Sequence, residues 1–385
     1  MMILTFRYRL LPNKRQHRAL ENILESQRQL YNAALEERIE AYRKAQLTRT
    51  YFDQTKALTE WRREDPDARL VAVALQRATL KRLDDAYRSF FRRIERGDKP
   101  GFPRFRGKGW FDSFGFRQFS AISLKAGRLR FKSMPGALRV HLHRPMPPNA
   151  VPVSCTFQRD VKGWSIGLNI ELPTPSLRPC ERVVGIDLGI STFATLSDGS
   201  SIPSLRAARA AERRLRLAQR ALARTKRAAK GRFKARVVVR RCHAAIARRR
   251  ASHLHQASAK LVRDFDLIAI EALQVKGLAR SRLAKDVHDA SWATFTSLLR
   301  YKAAKAGTRL VEVNPINTSQ DCSGCGANVP KRLDDRWHAC PNCGLSIDRD
   351  LNAARNVLNR AGVGPGLQNV AGCGMRASDR LGRPN

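Results

Sequence analysis

The sequence is short of acid. In 385 residues, 33 Asp and Glu stand against 73 Lys and Arg, a formal net charge of +40. A chain charged this way repels itself unless a polyanion neutralises it, so nucleic acid is the expected partner. Long apolar runs are missing too: the longest, such as LVAVAL at 70–75, fall far short of the roughly 20 residues a membrane helix needs. No membrane partner is expected, and the start at Met1 lacks the apolar stretch of a signal peptide. Cysteine is sparse outside one cluster, with Cys155, Cys180, Cys242 and Cys373 scattered. That suits a reducing cytoplasm better than a disulfide framework, and a bacterial or archaeal, nucleoid-associated location is expected; Asn317-Thr318-Ser319 is then an irrelevant glycosylation match. No repeat of 20–50 residues is present. The stretch Gly101–Lys108 has the wrong spacing for a phosphate loop and is followed by Gly109, where Ser or Thr is needed. Nothing suggests a serine or cysteine hydrolase, because Cys242-His243 lies in a basic helical stretch with no sign of a pocket.

What is present divides the chain. Thr5–Leu10 alternates Phe6, Tyr8 and Leu10 with polar residues, the period of a half-buried strand, and Pro12-Asn13 ends it. Apolar residues then recur at helical spacing, first through Leu20, Leu24, Tyr31 and Leu35, then through Leu80, Leu83, Tyr87 and Phe91, making 14–96 a helical module. Gly97–Gly101 breaks it, and period two returns at Leu138, Val140 and Leu142 and at Trp164, Ile166 and Leu168. Residues 101–175 thus look antiparallel and barrel-like; if the first strand pairs with the later ones, the helical module is an insertion. His141 and His143 are expected to be plain strand residues. A Pro-rich linker, Pro173–Pro179, precedes α/β order from Arg182 on, with strands at VVGIDLG, FATLSDG, LIAIE and RLVEVN. Residues 201–260 hold 19 Lys and Arg against one acid, Glu212, an imbalance that points to nucleic-acid contact. The Gly-, Pro- and Arg-containing tail 362–385 is expected to be disordered.

Three carboxylates sit where phosphodiester chemistry needs them. Asp187 is polar in an apolar strand, Glu271 closes the apolar LIAI, and Asp350 opens a helix. Two divalent ions held by shared carboxylates activate the attacking oxygen and stabilise the leaving one, and Mg²⁺ prefers oxygen ligands. Singly each has a duller explanation: a turn residue for Asp187, a salt bridge for Glu271, a helix cap for Asp350, with Asp348 competing for the cap. Together they suggest an RNase H-like nuclease core. Between the last two, Cys322-x2-Cys325 and Cys340-x2-Cys343 form paired knuckles, each followed by a glycine (Gly326, Gly344). Four filled ligand positions make a structural zinc ribbon the expectation.

The stretches GIDLGISTFATLSDG, LIAIEAL, NTSQDCSGCG and CPNCGLSIDRDLNAARN resemble the TnpB family, transposon-encoded RNA-guided DNA endonucleases related to type V CRISPR effectors. YRLLPNKRQ and GFPRFRGK are similar to it as well, so the resemblance runs from residue 1 to about 360. It implies a multidomain α+β chain. A wedge β-barrel (1–13 and 97–178) holds an inserted helical recognition domain (14–96); an RNase H-like (RuvC) α/β domain (179–320 and 345–361) with an inserted zinc ribbon (321–344) follows. The family's catalytic, magnesium- or manganese-binding residues fall on Asp187, Glu271 and Asp350, the last because Asp350-Leu351-Asn352-Ala353-Ala354 fits the family's Asp-x-Asn-Ala-Ala. Asp348 then supports the site or caps the helix. The implied partners are a guide RNA derived from the transposon end, with one protein per RNA, and duplex target DNA beside a short adjacent motif, with base pairing supplying the long readout. Tyr51, Thr55 and Gln76 fall where relatives place residues that read that motif, although Ala72 and Val73 depart from larger or basic residues of some relatives. An intact acidic triad favours cleavage over two alternatives, a guided DNA-binding repressor and a transposase acting directly on transposon ends.

Overall fold

The computed structural model describes residues 1–147, 150–205, 207–226, 229–273, 291–332 and 335–362, so the tail expected to be disordered lies, beyond Gly362, outside the described residues. The chain forms two compact units, Met1–Pro173 and Thr174 onward.

In the first unit β1 (Met2–Leu11) leads into α1 (Lys14–Ala45), α2 (Tyr51–Glu64) and α3 (Val73–Glu95). Asn13 starts α1 by a capping box. Its side chain accepts the backbone N–H of Gln16 at 2.8 Å, while the Gln16 side chain accepts that of Asn13 at 3.2 Å, so two orphan donors are satisfied together. Six strands follow: β2 (Ser113–Phe116), β3 (Ile122–Lys125), β4 (Arg128–Phe131), β5 (Leu138–His141), β6 (Val151–Asp160) and β7 (Gly163–Leu172). β1 pairs antiparallel with β5 on one side and β7 on the other, so the opening strand sits mid-sheet and the three helices are an excursion between β1 and β2.

The sheet order is β2-β6-β7-β1-β5-β4-β3, which leaves β2 and β3 as edges. It is an open half-barrel, where the sequence suggested a barrel. Closure needs β2 and β3 to pair, but each has only four residues, and α3 covers β2 instead, with Arg82 donating to the Ser113 carbonyl at 2.9 Å. The core beneath is aromatic: Trp164 and Phe157 are fully buried, and Phe114 stacks on Phe157 with centroids 4.9 Å apart.

The second unit carries β8 (Val183–Leu188), β9 (Thr192–Leu196), β10 (Ser201–Pro203), α4 (Ala207–Arg224), α5 (Lys230–Asp264) and β11 (Leu267–Glu271). It continues with α6 (Trp292–Ala306), β12 (Arg309–Val313), the hairpin β13 (Trp337–Ala339) and β14 (Ser346–Asp348), and α7 (Arg349–Arg360). The main sheet runs β10-β9-β8-β11-β12, with β8, β11 and β12 parallel and β9 and β10 antiparallel additions.

Strand alternation sorts its two faces. Val184, Ile186, Leu188, Ile268 and Ile270 pack with Leu254 and Leu261 of α5 and Phe295 and Leu299 of α6. Leu267 and Ala269 pack with Val357 of α7 on the opposite face. Because helices cover both faces, all five residues of β11 are buried, which is why LIAI shows no alternation of its own. Among the described residues, no helix is long and apolar enough to cross a membrane.

Candidate functional site

The residues of β8 and β11 that face α7 are the odd-numbered ones, and Asp187 and Glu271 continue those series. The parallel register pairs Ile186 with Ile270, so Asp187 and Glu271 come next on neighbouring strands, about 4.8 Å apart in backbone and on one face. The helix lies close for a specific reason. A Cβ on Gly185 would stand 2.1 Å from the Ala354 carbonyl oxygen and 2.7 Å from the Leu358 nitrogen, so only glycine lets α7 rest on β8 there. Asp350, Ala354 and Leu358 are spaced by four and share a helix face. With Ala354 and Leu358 on Gly185, Asp350 falls one turn nearer the helix start, toward Asp187.

The electrostatics agree with that placement. Burial first, then the charges of Glu271 and Asp350, push the Asp187 carboxyl from 3.8 up to about 8. Burial also raises Glu271, which is 7% exposed, while the Thr318 hydroxyl and the charge of Arg360 partly hold it down. Asp350 is half-buried and lies 3.4 Å from the Arg349 guanidinium. It does not cap the helix; Asp348 does, its carboxylate accepting the backbone N–H groups of Asp350 at 2.8 Å and Leu351 at 3.1 Å. The Asp350 carboxylate is thereby not used as the cap.

A buried carboxyl raised further by two neighbouring acids calls for a cation. An all-oxygen set of three carboxylates suits magnesium or manganese. Among the described residues, the four cysteines are the one group of three or more His, Cys, Asp or Glu whose ligand atoms all lie within 4.8 Å of one another.

The structure also supplies residues the sequence analysis passed over. Thr318 donates to Glu271 Oε1 at 2.5 Å. Asn356 of α7 donates to the carbonyls of Thr318 at 2.9 Å and Asp321 at 2.6 Å, and Asn352 donates to Asp321 at 2.8 Å while accepting from the Ser323 N–H at 2.9 Å. Arg360 pairs with Asp321 at 2.6 Å. The asparagines had a signal in the sequence: Asn352, Asn356 and Asn359 recur at four and three, a polar stripe along one helix.

The loop so held runs into the first cysteine knuckle. Cys322 and Cys343 Sγ lie 3.6 Å apart, as do Cys325 and Cys340. Four thiolates around one zinc at about 2.3 Å would stand about 3.8 Å apart, so the set fits a tetrahedral ion. Both knuckles close alike, with Gly326 N–H on the Cys322 carbonyl at 2.9 Å and Gly344 N–H on that of Cys340 at 3.0 Å. Gly326 and Gly344 have φ of 77° and 72°, the left-handed turn that favours glycine.

Elsewhere in this unit α4 and α5 pack on each other and expose arginines on both, including Arg213, Arg216, Arg220, Arg236, Arg240 and Arg248, a surface suited to phosphate. In the first unit Tyr51 and Thr55 lie one turn apart on α2, both half-buried; the Tyr51 ring faces Lys81 at 5.2 Å, and the Thr55 hydroxyl donates to the Phe52 carbonyl. Gln76 is different. It is 1% exposed, donates to the Ala68 carbonyl at 3.0 Å and accepts from Arg62, so its amide is engaged inside the helical module.

Three family models match the chain: "Helix-turn-helix domain" over 1–46, "Probable transposase" over 167–282, and "Cas12f1-like, TNB domain" over 292–357. A Streptomyces pristinaespiralis protein named "Putative RNA-guided DNA endonuclease" is 34% identical over 98% of this chain and 94% of its own length. The chain belongs to the TnpB/OrfB_IS605 family. An Escherichia coli K12 relative, "Putative RNA-guided DNA endonuclease InsQ", is 27% identical over 92% of this chain and 91% of its own. The structure is similar in fold to that titled "Cryo-EM structure of the Cas12f1-sgRNA-target DNA complex", with TM-score 0.57, 13% identity, and 90% of this chain and 83% of that one covered. In this TnpB-family chain the helix-turn-helix label does not describe what residues 1–46 form, which is β1 followed by the single long helix α1. The TNB match spans α6, both cysteine knuckles and most of α7, so it takes in the cluster and Asp350 together.

Proposed function

We propose that this chain is an RNA-guided DNA endonuclease encoded by a transposon, cutting DNA with magnesium or manganese held by Asp187, Glu271 and Asp350. One observation carries the reading: two strand-end carboxylates and one helix-borne carboxylate meet on a single face of a mixed sheet, in a chain of net charge +40. In this reading the half-barrel, 1–13 and 97–178, is the wedge domain and 14–96 the recognition domain. The RuvC domain is 179–320 with 345–361, and the ribbon is 321–344.

When bound, the divalent ions supply activation of the attacking water and charge for the leaving oxygen. The protein's own part is geometric. Asp187 and Glu271 hold neighbouring positions because β8 and β11 are in register, Asp350 approaches because Gly185 admits α7, and the apolar strands around them limit water. The four cysteines bind a structural zinc. Exposed arginines on α4 and α5 neutralise the guide RNA, which comes from the transposon end, and base pairing selects the duplex target. Tyr51, Thr55 and Gln76 on the recognition helices are the candidates for reading the adjacent motif.

The test is to express the protein with its native downstream flank, sequence the RNA that copurifies, and assay that complex on matched duplex DNA in Mg²⁺. The expected result is one defined RNA whose 3′ portion directs cutting. RNA of no defined sequence, with cutting at transposon ends instead, would replace this reading by direct transposase action.

A further inference from the structure

Glu271 has two oxygens, and the fold spends one of them. Oε1 accepts the Thr318 hydroxyl at 2.5 Å; the same hydroxyl lies 3.0 Å from the Pro315 carbonyl, but it has one proton, and the shorter contact to the charged carboxylate takes it. Thr318 is 4% exposed and cannot swing into solvent. Its backbone is pinned from the other side of the loop by Asn356, itself 6% exposed, whose amide also grips the Asp321 carbonyl. Asn352, fully buried, joins Asp321 and Ser323 on the two sides of Cys322. A continuous chain of hydrogen bonds therefore runs from the first zinc knuckle through the loop 318–323 to Glu271, and from the same loop to the helix that carries Asp350.

We propose that Thr318 is a positioning residue for divalent-ion binding: held by Asn356 at the foot of the zinc knuckle, it fixes the Glu271 carboxylate so that its second oxygen is presented to the cation. This inference rests on the reading of Glu271 as a metal-binding residue. A free glutamate side chain loses rotamer freedom each time it binds an ion; one already held by a hydroxyl has lost it on folding. Hydrogen bonds of this kind, made to a metal-binding carboxylate from behind, are worth about 10–100-fold in metal affinity. The arrangement also gives the cysteine cluster a second role, because the knuckle that zinc closes anchors the loop that orients the acid.

The experiment titrates full-length, zinc-loaded protein with Mn²⁺ and reads free Mn²⁺ by electron paramagnetic resonance, alongside zinc content and thermal melting. Thr318→Val is expected to weaken Mn²⁺ binding about tenfold with zinc content unchanged, and Thr318→Ser, which keeps the hydroxyl, to bind as the parent does. Parent-like affinity in Thr318→Val overturns the inference. So does equal weakening in Thr318→Ser and Thr318→Val, which would trace the effect to the methyl group. If Thr318→Val does not fold, Thr318→Ser carries the test: weakened Mn²⁺ binding in a folded Ser variant overturns the proposal and parent-like binding supports it. Glu271→Gln separates the two levels of argument. If it binds Mn²⁺ normally, the metal reading of Glu271 falls and the inference with it; if it loses Mn²⁺ while Thr318→Val does not, the inference alone falls.

Discussion

Asp187→Ala is expected to lower Mg²⁺-dependent cleavage at least about a thousandfold, equivalent to about 4 kcal/mol of transition-state stabilisation, while guide-RNA affinity and the melting temperature hold or rise. The reasons are separate. Asp187 lies between Glu271 and Asp350 electrostatically, and its carboxyl is the one driven up to about 8, so it is where a cation gains most. A group raised in this way opposes folding as pH climbs from its ordinary value through about 8, since the native state then retains a proton the unfolded chain has lost. Removing it relieves that strain in metal-free protein. On the proposed reading, RNA affinity is set by the exposed arginines of α4 and α5, which the substitution leaves alone. Cleavage assays, RNA gel shifts and melting curves on one preparation check all three, and cutting within tenfold of the parent would remove Asp187 from the reaction.

Cys340→Ser is expected to release the zinc and unfold the ribbon. Among the described residues of 321–348, the buried ones are Cys322, Cys340 and His338, and Trp337 is 59% exposed. Such a segment has almost no apolar core, and its hairpin strands have three residues each. Structural zinc contributes on the order of 10–16 kcal/mol in finger peptides, which dwarfs anything else holding this segment. Metal analysis should find zinc lost from the variant, and amide exchange should accelerate over 320–345, whereas β8 and β11 stay protected. Full zinc content with native exchange rates would mean the cluster is held by something other than its four thiolates.

The sequence was most legible where periodicity or spacing is local. Phe6, Tyr8 and Leu10 alternate because β1 is half-buried, and the CxxC knuckles read directly because a tetrahedral ion admits few spacings. Asp187 and Glu271 stood out as charges in apolar strands. Gln76 was placed by the family resemblance alone, and only the tertiary fold shows that Ala68 and Arg62 engage its amide. The open edge of the first sheet was hidden for the same reason: strands of four residues leave little period to read, and Arg82 of α3 covers β2 from a distance in sequence. Thr318 was hidden most thoroughly, as its side-chain partner is a carboxylate 47 residues away in the chain. The Asp348 and Asp350 pair was ambiguous by sequence, since either could cap a helix; the backbone N–H groups that Asp348 accepts decide it.

The central claim is that Asp187, Glu271 and Asp350 form one divalent-ion centre. Crystals of the RNA-bound protein soaked in Mn²⁺ and measured for anomalous scattering test it most directly. The account predicts anomalous density bounded by all three carboxylates, with metal–oxygen distances of about 2.0–2.2 Å, in the parent and not in Asp187→Ala. Density confined to the four cysteines, with none between the carboxylates in a cleavage-competent crystal, would contradict it.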